Sequence, residues 1–200
     1  MQEIVPDVLM WSRRSDRHGY DFNGHLVLHP DGNLCIDPVE PDEADLDRLI
    51  AAGATRIVLT NRNHTRAAGR LRGSLGARTA ISRQDADYAR TQDTEIDDLL
   101  EAGDRLGPLQ VVAMPGKSPG EVALFWQERG LLIVGDAIIG NPPGQCGMLP
   151  ETVMDDPAQL RRSIEALLAL EFQTLLMGDG VSILSGAKDR VKALVASFAG

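Results

Sequence analysis

Two hundred residues, 43% of them hydrophobic, with glycine and proline spread along the chain, suit one α/β domain over residues 1–200 that buries its own core. A formal net charge of −9 argues against nucleic acid or an anionic membrane as the main partner, since either needs a basic patch to meet phosphate. No stretch approaches a membrane span, Met1 to Met10 lacks the basic-then-apolar order of an export signal, and Cys35 and Cys146 have neither zinc-knuckle nor redox-pair spacing, so a soluble cytoplasmic protein is expected.

In chain order, residues 25–29 alternate His25, Val27 and His29 on one face with Leu26 and Leu28 on the other, which predicts a strand. The pair Asp31-Gly32 turns it into a second strand, 33–37. Asp42 and Glu43 open a helix whose Leu46, Leu49 and Ile50 make one face, and Gly53 ends it. A strand over 56–60 follows, and its carboxyl end, where α/β folds commonly place their chemistry, carries Asn61-Arg62-Asn63-His64-Thr65-Arg66. Runs 109–114, 121–126 and 131–135 read as strands, the last two joined across Gln127-Glu128-Arg129-Gly130. Asp155-Asp156-Pro157 starts a helix with Leu160, Ile164, Leu167 and Leu168 as its buried stripe. Strand 173–177 leads to Asp179, and a last helix buries Val191, Leu194, Val195 and Phe198.

Four segments, in order, carry a resemblance: Leu59-Thr60 running into residues 61–66, Met114-Pro115-Gly116-Lys117-Ser118-Pro119-Gly120, Val134-Gly135-Asp136, and Met177-Gly178-Asp179-Gly180. The chain resembles the metallo-β-lactamase superfamily, including its glyoxalase II-like hydrolases. There these segments read Leu-Thr-His-x-His-x-Asp-His, Pro-Gly-His-Thr-Pro-Gly, Gly-Asp and Gly-His-Gly. The resemblance implies an αββα sandwich, two mixed β-sheets between helices, with hydrolase ancestry. It assigns the former metal-site positions to Asn61, Asn63, Thr65, Arg66, Lys117, Asp136 and Asp179. Zinc takes imidazole, thiolate or carboxylate, so only Asp136 and Asp179 keep groups that bind it well. A guanidinium cannot deprotonate to coordinate, and an ammonium beside a metal repels it. No metal cofactor is therefore expected, and dinuclear zinc hydrolysis is not expected either. His64 falls at an unassigned position of the motif, with its side chain directed away from the ligand cluster. Asp37-Pro38 resembles the turn that carries a structural aspartate near the family's site.

Two other motif matches fail on mechanism. Gly116-Lys117-Ser118 lacks the earlier glycine of a phosphate-binding loop, Val111 standing there instead. Gly116-Lys117-Ser118-Pro119-Gly120 fits a nucleophile elbow only in spelling, because Pro119 has no N–H for the oxyanion. His25 and His29 read as a solvated or hydrogen-bonded strand face, and His18 lies in a polar run. His64 reads first as an exposed residue at a helix start and second as an acid/base group with a carboxylate partner. Loop 139–150 follows Asp136 directly and is expected to border the pocket.

Charge then suggests what fills the old metal centre. Arg66 and Lys117 bring fixed positive charge to Asp136 and Asp179, with Asn61 and Asn63 supplying hydrogen bonds, so an internal ion-pair cluster is expected. Three readings follow. The first is a non-catalytic binding or regulatory module that holds a small anionic ligand on Arg66 and Lys117. The second is a hydrolase with altered chemistry, either a divalent metal on Asp136 and Asp179 or metal-free hydrolysis with Asp136 or His64 as the catalytic base. The third is a scaffold that works through its surface, as a homo-oligomer or with another protein.

Overall fold

Strand-forming sequence reaches further toward the amino terminus than the 25–29 alternation implied. The computed structural model describes residues 1–199, so Gly200, the last residue of the expected domain, lies outside the described residues. The chain gathers into two compact units, one spanning Met1–Leu100 and the other starting at Glu101.

The first unit holds a seven-stranded sheet in simple chain order: β1 (Gln2–Val5), β2 (Val8–Ser15), β3 (Tyr20–Val27), β4 (Asn33–Ile36), β5 (Ala54–Leu59), β6 (Arg78–Ser82) and β7 (Asp98–Leu100). Neighbours from β1 to β4 run antiparallel and those from β4 to β7 run parallel. Parallel neighbours need crossovers, and α1 (Glu43–Ala52), α2 (Ala68–Leu75) and α3 (Arg83–Arg90) supply them. Capping fixes α1 as the sequence suggested: Asp42 accepts from the Asp45 N–H, and Gly53 turns left-handed so that its N–H meets the carbonyls of Leu49 and Ile50. Leu49 is fully buried, but Ile50 is 47% exposed and does not belong to the expected apolar face. One residue advances the helix by about 100°, and here that rotation carries Ile50 past the core edge. The core of this unit gathers Leu26, Cys35, Leu49, Ile57, Leu59, Leu71 and Ile81.

In the second unit the order is β12-β11-β10-β9-β8, with β8 (Arg105–Leu106), β9 (Leu109–Ala113), β10 (Val122–Trp126), β11 (Leu131–Val134) and β12 (Thr174–Met177). Its strands pair antiparallel except for β11 with β12. Helix α4 (Pro157–Ala166) starts at the Asp156 cap with proline in its first turn, and α5 (Ala187–Ala196) closes the chain. Leu160, Ile164, Leu167, Phe172, Leu132, Val134 and Met177 share its core. Fully burying each such side chain contributes roughly 1.5–3 kcal/mol.

Two mixed sheets and five α-helices among the described residues make this an α/β protein. No described helix is long and apolar enough to cross a membrane. The parallel pairs decide where chemistry is placed. Ile36 lies in register with Val58, so the residues after β4 and β5 emerge side by side. In the second unit Val134 lies in register with Met177, which does the same for Asp136 and Asp179.

Candidate functional site

In the first unit the adjacent ends of β4 and β5 build a buried polar array. Asp37 follows β4, and its Oδ1 accepts from the Thr60 N–H at 2.8 Å while its Oδ2 accepts from the Thr60 hydroxyl at 2.6 Å. His64 Nδ1 lies 2.9 Å from the same Oδ2, and His64 Nε2 lies 3.0 Å from Arg66 Nη2. His64 thus stands between a carboxylate at Nδ1, which can receive its N–H, and a guanidinium at Nε2. Burial works to raise the Asp37 carboxyl, but His64 beside it and the hydrogen bonds from His64 and Thr60 outweigh that and hold it below the usual carboxylate range.

These contacts correct one expectation. His64 is neither exposed nor turned outward: it is fully buried, and it has the carboxylate partner of the second reading. The sequence signal that could have found it was Asp37, already marked as a structural aspartate near the site. The turn at 61–66 draws the imidazole in. Asn61 Oδ1 accepts from the Asn63 N–H at 2.8 Å, the Asn61 carbonyl accepts from the His64 N–H, and the Thr65 carbonyl accepts from Ala68 N–H ahead of α2. Asp37 and Arg66 both take left-handed backbone, with φ of +47° and +24°, a conformation that side-chain-bearing residues rarely adopt and that clusters at functional sites. Arg66 is held further by stacking, its guanidinium 4.4 Å from the centre of the Phe22 ring.

His25 is a second correction. It sits on β3 fully buried, and among the described residues neither ring nitrogen has a hydrogen-bond partner. Burial depresses its pKa to about 4, Asp37 working against that and His64 with it. His29 remains partly exposed, with Nδ1 accepting from the Asp31 N–H, and His18 is exposed against Ser15, as a polar run implies.

In the second unit, Lys117 and Asp136, two members of the expected cluster, form an ion pair: Nζ is 2.7 Å from Oδ2, with side-chain exposures of 6% and 7%. The loop that delivers Lys117 is fixed by backbone. Met114 N–H donates to the Glu121 carbonyl, Gly116 carbonyl accepts from Asp156 N–H at the start of α4, and Lys117 carbonyl accepts from Asp155 N–H. Gly116 has φ +141°, and a Cβ there would sit 2.3 Å from the Leu160 nitrogen. Only glycine allows this approach of the loop to α4. Asp179, at the end of β12, is buried, and its carbonyl accepts from Gly140 N–H at 2.8 Å. Loop 139–150 closes on itself through paired hydrogen bonds between Ile139 and Gly147, and so is anchored beside Asp179 in this unit.

Among residues of the kinds that ligate divalent metals, His64 in the first unit and Asp136 and Asp179 in the second are all buried. Asn61, Asn63, Thr65, Arg66 and Lys117 occupy the remaining positions that the sequence marked.

A family model described as the metallo-beta-lactamase superfamily matches residues 2–198. The chain is 33% identical over 109 residues, 54% of its own length and 39% of the relative's, to a hydroxyacylglutathione hydrolase of Ectopseudomonas mendocina (strain ymp). It is 28% identical over 153 residues, 70% of its length and 59% of the relative's, to a hydroxyacylglutathione hydrolase of Synechococcus sp. (strain JA-3-3Ab). The chain thus spans less than two thirds of either relative. Among solved structures it is similar to TTHA1623 in a di-iron-bound form, at 27% identity and a TM-score of 0.68, with 86% of this chain and 94% of that one covered.

Proposed function

The chain belongs to the metallo-β-lactamase superfamily and has its fold, and on that premise we propose a non-catalytic module that binds a small anionic ligand, with Arg66 in the first unit and Lys117 in the second as candidate binding residues. The observation that carries this reading is the pair of fixed cations at positions the resemblance gives to ligands: Lys117 already holds an oxygen of Asp136, and Arg66 lies 3.0 Å from His64 Nε2. A dinuclear zinc site fits this donor set poorly, since Asn61, Asn63 and Thr65 offer neutral oxygens and the two cations would repel the ions. Charged side chains take over the balance that metal gives the family. In this reading residues 1–200 act as one domain, and loop 139–150 borders the ligand. Neither nucleic acid nor membrane is proposed as a partner, and the cytoplasm is proposed as its location.

A specific observation favours a second reading, a hydrolase with an altered site. His64, Asp136 and Asp179 are an imidazole and two carboxylates, all buried, and the curated relatives are hydrolases. Imidazole and carboxylate are donors that a divalent metal accepts, and a metal held by them would supply Lewis-acid activation of water. A surface scaffold, as a homo-oligomer or with another protein, is what remains if neither ligand nor metal binds.

Thermal shift of the purified chain against phosphate and small carboxylates, with neutral analogues alongside, tests the proposal. Stabilisation confined to anions, weakening with added chloride and lost in Arg66→Ala or Lys117→Ala, is expected. Equal shifts with neutral analogues, or none at millimolar anion, would reject anion binding.

A further inference from the structure

Beside Arg66 the first unit has a cleft of about 310 Å³ lined by Arg13, Phe22, Val39, Glu40, Arg66 and Ala67. Its charges are unevenly committed. Glu40 pairs with Arg70 at the surface, and Arg66 is pinned between Phe22 and His64. Arg13 donates one hydrogen bond, to the Ser12 carbonyl at 3.3 Å, and has no carboxylate partner among the described residues. The cleft therefore keeps a positive rim on a strongly acidic chain.

Its walls are apolar. Arg13 and Phe22 stand opposite each other across β2 and β3, so both side chains project from one face of the sheet, over which Val39 and Ala67 close the cleft. Phe22 also heads an aromatic row, with ring centres 6.0 Å from Tyr20 and 5.3 Å from His18. A bare inorganic anion would leave these walls unused, and a neutral apolar molecule would leave the Arg13 guanidinium unpaired.

We propose that the cleft takes a small aromatic carboxylate, its carboxylate on Arg13 and its ring against Phe22, Val39 and Ala67. A planar carboxylate matches the guanidinium fork in two parallel hydrogen bonds, and a flat ring fills the apolar wall of Val39, Ala67 and the edge of Phe22, whose ring face Arg66 covers. The volume lies at the small end of ligand pockets, which suits one ring with one acid group. This rests on the reading above that the chain binds a small anion, and it places the acid group on Arg13, in the cleft beside Arg66, rather than on Arg66 and Lys117.

Calorimetric titration of the full chain with sodium benzoate, sodium acetate and benzamide separates the two. Benzoate is expected to bind roughly tenfold tighter than either acetate, which lacks the ring, or benzamide, which lacks the charge. Arg13→Gln should weaken benzoate about tenfold, and Phe22→Leu should bring benzoate toward acetate. Acetate binding as well as benzoate would overturn the aromatic class and leave anion binding standing. Benzamide matching benzoate would overturn the role of Arg13, as would an Arg13→Gln variant with unchanged affinity. Failure of all three probes to bind would overturn this inference, and with no shift by phosphate it would take the anion-binding reading too.

Discussion

Replacing Lys117 with methionine removes the ammonium from Asp136 while keeping much of the buried stem. With Nζ 2.7 Å from the carboxylate and both side chains more than nine-tenths buried, the variant leaves a charge inside without its partner. Such a loss costs about 3–5 kcal/mol, whereas replacing both members of a buried pair by neutral groups is often close to neutral. In a chain of 200 residues each kcal/mol moves the melting temperature by about 2–4 °C, so Lys117→Met should fall by roughly 6–20 °C. Adding Asp136→Asn should restore most of it. The assay is urea unfolding of wild type, both single variants and the double, compared at constant denaturant slope so that midpoints report stability. A coupling energy under about 0.5 kcal/mol would refute the reasoning, because the two groups would then act independently.

Two further outcomes follow from the buried histidine and the tight loop. His25 has its folded pKa lowered from 6.5 to about 4, so between those values the unfolded chain binds a proton that the folded chain refuses. Its stabilisation is complete above pH 6.5 and drains away as pH falls toward 4, by roughly 3 kcal/mol, and His25→Leu should flatten that slope in urea midpoints measured from pH 7 to 4. Asp37, whose folded pKa is lowered below 3.8, contributes only above that range and loses its share at still lower pH, so the two windows separate. Gly116→Ala places a Cβ against the Leu160 backbone and should destabilise by about 1–3 kcal/mol or more, read by thermal unfolding; a neutral result would mean the loop does not pack on α4 as described.

Segments with strong local signals were legible in the sequence. The apolar runs of β5, β9, β10, β11 and β12 and the caps of α1 and α4 fall within two residues of their expected bounds. β2 and the first half of β3 were not legible, because Trp11-Ser12-Arg13-Arg14-Ser15 mixes charge into a strand whose burial does not alternate. Helix α3 was not legible either, because its sequence, Arg83 to Arg90, is mostly polar and buries only Asp85, Ala86 and Ala89. Motif order marked Lys117 and Asp136 as candidate site residues, while charge alone left open whether Arg66 or Lys117 pairs with Asp136; the structure places Lys117 there. The burial of His64 was not legible, because its partner Asp37 lies 27 positions away and reaches it only through the parallel registry of β4 with β5. Nor does local pattern show a cleft such as that beside Arg66, since β2, β3 and the turns after β4 and β5 each add only one or two residues to it.

Elemental analysis of the purified full chain, with melting temperature recorded before and after chelation, tests most directly the proposal that Arg66 and Lys117 replace a metal centre. Far less than one equivalent of zinc, iron or manganese per chain, with melting unchanged by chelator, is the result predicted, because a ligand bound only to the folded state must raise its stability. One or more equivalents of metal, lost to chelator together with several degrees of melting temperature and restored by adding metal back, would contradict it.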